Sequence, residues 1–126
     1  MKAKTERRPT ERRIGPRLRV YLGALDHLGP GKADLLTGID ETGSIVAAGK
    51  RMDMSYRRAW LLVDALNKMF KSPLVTKTKG GKGGGGGAEL TALGREVLTR
   101  FRSMEKKTAK AIAADVAALR KAVAAR

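Results

Sequence analysis

The run Ser55-Tyr56-Arg57-Arg58 sets a hydroxyl, a phenol and two guanidinium groups side by side, just ahead of an apolar stripe that opens at Ala59. A guanidinium fork matches the O6 and N7 acceptors of guanine, a pairing worth about 1–3 kcal/mol of base discrimination, and it suits phosphate oxygens equally well. Arg57 or Arg58 can make the base contact, which leaves the other for a phosphate. Tyr56 can donate its hydroxyl to phosphate or lay its ring on a sugar or a thymine methyl. Ser55 can cap a helix and touch phosphate as well. Ser44, Lys50 and Arg51 lie just upstream and suit contact with a sugar-phosphate backbone. A second cationic group follows, Lys77, Lys79 and Lys82, the last being the one non-glycine between Gly80 and Gly87. Unshielded N–H groups in such a run can donate to phosphate oxygens. The run is no nucleotide-binding loop, because Lys82 precedes most of the glycines and is followed directly by glycine instead of Ser or Thr. It can also be a plain linker, but its place between two β-prone stretches favours a hairpin.

The whole chain shares this bias. Its 126 residues hold 27 Lys and Arg against 12 Asp and Glu, a formal net charge of +15. That field attracts polyanions without choosing among DNA, RNA, an acidic protein and an anionic surface. The absence of cysteine excludes disulfides and thiolate metal sites. His27 is the single histidine, with no cluster of carboxylates beside it, so neither a metal centre nor a nucleophile-base pair is expected. The expectation is a non-enzyme without a cofactor. No apolar run approaches the roughly 18 residues of a membrane span, and no apolar stretch follows the basic residues up to Arg19 as a signal peptide requires. The expected location is a prokaryotic cytoplasm, at the nucleoid, with no membrane partner.

Positioning these groups requires a small framework. Residues 1–16 are basic with almost nothing to bury and read as a disordered arm. Leu18, Val20 and Leu22 alternate as a short strand, Ala24–Leu28 reads as a helical turn or loop, and Gly29-Pro30-Gly31 as a break. A helix from about Lys32 to Glu41 buries Leu35, Leu36 and Ile39 and stops at Gly43. Ser44 caps a short helix with Ile45, Ala47, Ala48 and Met52 facing inward, and Ala47 and Ala48 allow a close crossing. Asp53-Met54 make a corner, with Met54 plugging the gap. The next helix runs from Tyr56 to about Phe70 on a stripe of Ala59, Leu62, Val63, Leu66 and Phe70, until Ser72-Pro73 ends it. Trp60 reads as core or interface filler. Leu74–Lys79 and Ala88–Thr91 are strands around the glycines, and the early strand can complete a three-stranded sheet with them. Thr91 caps a last helix from Ala92 to about Ala124, whose stripe of Val97, Phe101, Met104, Thr108, Ile112, Val116, Leu119 and Val123 wants a partner helix. The fold class is mainly α with a small β-sheet, a winged helix-turn-helix over residues 17–101 with a long C-terminal helix extending through 102–126.

Several pieces match a known pattern: Ile39, Gly43-Ser44-Ile45, Ala47-Ala48, Met54-Ser55-Tyr56-Arg57-Arg58-Ala59-Trp60, Asn67, Lys79-Gly80-Gly81-Lys82 with its glycines, Ala88-Glu89-Leu90-Thr91 and Gly94. With them the chain resembles the N-terminal DNA-binding domain of the molybdate-responsive ModE family of transcriptional regulators, winged helix domains related to those of LysR-type regulators. The likeness extends over about Leu18 to Phe101. It implies a homodimer on a partly palindromic operator, regulating genes of molybdenum uptake or molybdoenzymes. The first strand and the last helix would form the dimer, which assigns Val20, Leu22, Val97, Phe101, Met104, Ile112, Val116 and Leu119 to that surface. Full-length members add C-terminal molybdate-binding domains, and the sequence ends instead in an Ala- and Lys-rich helix. The expectation is therefore a chain that does not bind molybdate itself, acting constitutively, under another signal, or with a sensor protein on another chain. A sequence-specific dimeric regulator of double-stranded DNA is the first reading. A nonspecific, architectural coat on DNA is the alternative, and docking of another protein by the long helix a third.

Overall fold

The computed structural model describes residues 14–79 and 87–125. Most of the basic arm and Lys82 lie outside the described residues. The described chain is mostly helical, with two small antiparallel sheets.

Helix α1 (Pro30–Thr42) begins inside the Gly-Pro-Gly triplet read as a break. Pro30 occupies the first turn, where a missing N–H leaves nothing unpaired and a fixed φ suits the helix. The helix ends at Gly43, held at φ 72°, whose N–H donates to the Ile39 carbonyl at 2.8 Å. This left-handed cap is strained for any residue with a Cβ. Leu35, Leu36 and Ile39 are fully buried, as their spacing predicts. Helix α2 (Ile45–Arg51) is capped by the Ser44 hydroxyl, which accepts from the Ala47 N–H at 3.0 Å. Helix α3 (Tyr56–Met69) is capped by Ser55 in the same way, through the Arg58 N–H at 3.1 Å. Between them Asp53 turns the chain at φ 59°, and the Gly49 carbonyl accepts from both Met52 and Met54.

Small residues bring these helices together, though not the pair the sequence suggested. Ala48 faces Gly38 of α1, where a glycine Cβ would come within 2.8 Å of the alanine's own. Ala47 is half-buried, and the approach to α3 falls to Gly49, whose Cβ would lie 2.9 Å from that of Ala59. Gly49→Ala should therefore destabilise the chain by about 1–3 kcal/mol through overpacking, less the roughly 1 kcal/mol gained in helix propensity. Urea denaturation checks this, and a variant more stable than the parent would refute it.

The early strand is shorter than expected and does not extend the later sheet. Strand β1 (Val20–Tyr21) pairs with β2 (His27–Leu28), Val20 opposite Leu28 and Tyr21 opposite His27, as a separate two-stranded sheet. The stretch read as a helical turn or loop thus supplies its partner strand. The three-stranded sheet is replaced by two hairpins. In the second, β3 (Val75–Thr78) pairs with β4 (Gly87–Leu90), with Val75 opposite Leu90 and Lys77 opposite Ala88.

Helix α4 (Ala92–Ala111), capped by Thr91, packs Phe101 and Val97 into the core. Arg102 fastens it to α1 by donating to Asp34 at 2.8 Å and Thr37 at 2.9 Å. The single long helix expected to Ala124 is divided: Ile112 (φ −106°, ψ 8°) interrupts it before α5 (Ala113–Ala122). No described helix is long and apolar enough to cross a membrane.

Candidate nucleic-acid interface

Capping decides what the start of α3 presents. Because Ser55 satisfies an amide of the first turn, Tyr56, Arg57 and Arg58 are free to project, and all of them are exposed. Most other arginines of the folded part are engaged: Arg51 with Glu41, Arg95 with Asp40, Arg100 with Glu96, and Arg102 with Asp34 and Glu105. Among the described residues, Arg57 and Arg58 have no carboxylate partner. Ser44 is occupied as a cap and half-buried, Lys50 is exposed, and the pairing of Arg51 with Glu41 reduces its free charge.

The buried side of α3 is Ala59, Val63 and Leu66. At 100° per residue, Arg57, Leu61, Asp64 and Lys68 fall on the opposite side. Leu61, 56% exposed, was missed in the sequence. The available signal was its place four residues after Arg57. Lys68 is compensated there by Asp64 at 3.0 Å.

The second hairpin stands beside this face on a well-defined root. Asn67 of α3 accepts from the Leu74 and Val75 N–H groups at 2.9 and 3.0 Å and donates to the Val75 carbonyl at 3.1 Å. Three backbone groups at the start of β3 are thus fixed by one side chain, which the sequence marked only as a polar residue late in the helix. Thr91 closes the other end, its N–H on the Leu74 carbonyl at 2.9 Å and its hydroxyl on Pro73 at 2.8 Å. The Ala88 N–H donates to the Gly43 carbonyl at 2.9 Å, joining β4 to the end of α1. Lys77 and Lys79 are exposed along β3 and just past it. The Lys77 ammonium sits 5.0 Å from the centre of the Trp60 ring, which Tyr56 meets edge-on at 6.2 Å.

The residues assigned to a second chain divide. Val97 and Phe101 are taken up by the chain's own core, so they are not available to a partner. Val20 is half-buried against that core, and Leu22 is exposed. Met104, Ile112 and Val116 are half-buried and Leu119 is exposed along α4 and α5.

This arrangement of a cationic helix start beside a basic hairpin accompanies similarity to a class of bacterial transcriptional regulators and molybdenum-related proteins. The chain is 40% identical over 83 residues to the molybdenum-pterin-binding protein MopB of Rhodobacter capsulatus, a match covering 66% of this chain and 30% of that protein. It is 39% identical over 71 residues to the molybdenum transport protein ModE of Azotobacter vinelandii, covering 56% and 26%. It is 36% identical over 72 residues to the DNA-binding transcriptional dual regulator ModE of Escherichia coli K12, covering 57% and 27%. The chain thus matches less than a third of the length of these relatives. No protein-family model matches it. The relatives' names are those of regulators and of molybdenum-binding or transport proteins, not enzymes.

Proposed function

We propose that the chain is a sequence-specific reader of double-stranded DNA, a winged helix-turn-helix that acts in transcriptional regulation of the ModE type. Helix α3 enters the major groove, and the β3–β4 hairpin is the wing that lies on flanking phosphates or in the minor groove. The observation that carries this reading is the exposed first turn of α3, where Arg57 and Arg58 have no carboxylate partner among the described residues, whereas Arg51, Arg95, Arg100 and Arg102 are paired. The regulator named in Escherichia coli as DNA-binding supports it. Leu61 offers an apolar contact for a thymine methyl one turn beyond Arg57. The protein works as a homodimer in the cytoplasm, paired through Leu22 on one side and Met104, Ile112, Val116 and Leu119 on the other. Residues 17–101 form the reading domain, and the remainder of α4 with α5 follows it.

Selection of bound duplexes from random DNA, followed by footprinting, tests this. An inverted repeat with half-sites about 34 Å apart is expected. Equal retention of all sequences would replace specific reading by an architectural coat, which the charge of +15 also allows. Lys79→Ala should weaken selected and scrambled duplexes alike and lower the salt slope by about 1, as loss of one phosphate contact does. A loss confined to the selected duplex would assign Lys79 to base reading instead.

A further inference from the structure

Trp60 is the chain's single tryptophan, and its ring is where α3 and β3 meet. One turn upstream on the helix, Tyr56 packs edge-on against it at 67°, and from the strand the Lys77 ammonium sits over it at 5.0 Å. Its indole N–H is buried and has no hydrogen-bond partner among the described residues. Filling space between helix and strand requires no cation at this point. The chemistry of the Lys77 contact differs from that of Lys68 on α3. A carboxylate holds Lys68 and cancels its charge at short range. An aromatic face restrains an ammonium while leaving its charge, and the N–H donors turned away from the ring, available to an anion.

We propose that Trp60 is a positioning residue for DNA binding: it holds Lys77 of the wing strand and Tyr56 of the recognition helix as one unit, so that both elements engage the phosphate backbone together. The inference rests on the DNA reading above and adds to it a coupling between helix and wing. A lysine held in place without being neutralised gives up little further freedom when it meets a phosphate. Released from the ring, the same lysine has no fixed place beside a phosphate, and that contact is lost.

The test is a double-mutant cycle on the full chain, with affinity for the selected duplex measured over a range of salt. Lys77→Met should weaken binding about threefold to fivefold and make the log–log salt slope shallower by about 1. Trp60→Leu should reproduce both effects, the double variant should be no weaker than either single one, and Trp60→Phe should restore the parent slope. A merely structural role would lower affinity without changing that slope. Parent-like slope in Trp60→Leu, or additive losses in the double variant, overturns the proposal. Should Trp60→Leu fail to fold, Lys77→Met still decides: the emission of Trp60 in the free protein must change when the ammonium leaves its ring, and unchanged emission overturns the contact. No binding of the parent chain to any duplex would overturn the DNA reading itself, whereas normal binding with additive variants overturns only the coupling.

Discussion

Arg57→Ala should lose between about tenfold and a hundredfold in affinity for the selected duplex while binding to a scrambled duplex falls far less. The expectation follows from where the helix puts the side chain. Arg57 lies opposite the buried Ala59, Val63 and Leu66 stripe, on the face that the proposed reading puts into a groove, whereas Arg58 is turned about 100° away from it. A side chain at the centre of that face meets base edges, and one at its flank meets phosphates. Arg58→Ala should accordingly weaken both duplexes by similar factors. Fluorescence anisotropy at fixed salt on the two duplexes separates these outcomes. If the two variants exchange behaviours, the base reader is Arg58. If both act uniformly on both duplexes, the protein coats DNA rather than reading it.

Gly94→Ala should be the most destabilising single-methyl change in the folded part. An added Cβ would sit 2.2 Å from the Leu74 carbonyl oxygen, well inside contact distance and against backbone instead of a movable side chain. That carbonyl is not free to retreat, because it accepts from the Thr91 N–H and, at 3.3 Å, from the Thr91 hydroxyl that also caps α4. Either the helix start or the root of the second hairpin must shift. The cost should reach about 3 kcal/mol, which for a domain of this size lowers the melting temperature by roughly 12 °C or more. Gly31→Ala is the matched control, since a Cβ there meets nothing within 4 Å. Thermal melts followed by circular dichroism compare them, and a Gly94→Ala melt within two or three degrees of the parent, a margin of about 0.5 kcal/mol, would show that the close approach is relieved at little cost.

What the sequence revealed was what neighbouring residues decide. Ser44, Ser55 and Thr91 cap the helices that follow them because the cap and its amide lie within three residues. The stripes of α1 and α3 emerge because burial repeats with the turn. What it concealed depends on distant partners or on too few residues to hold a period. Strands β1 and β2 are two residues each, too short for alternation to signal their pairing. Gly38 and Gly49 look like weak points in helices until the facing Ala48 and Ala59 are seen. Asn67 belongs to the matched pattern without a partner to explain it, since its bonds reach seven and eight residues ahead. For the site, the cationic start of α3 was legible from residue type alone. Leu61 was hidden because a leucine in a helix is first assigned to the core, and the contact between Trp60 and Lys77 spans two elements. The continuity of the last helix was overestimated because its apolar repeat runs through Ile112 while the backbone does not.

The hydrogen bond from Ala88 to Gly43 has a mechanical consequence. With Asn67 and Thr91 it clamps β3 and β4 at their base like a cantilever, so the direction in which the two strands run is set by the helices. A change in chain length beyond the clamp would leave the aim of the two strands as it is. A lineage could therefore vary the sequence between the two strands while the part that determines alignment stays fixed.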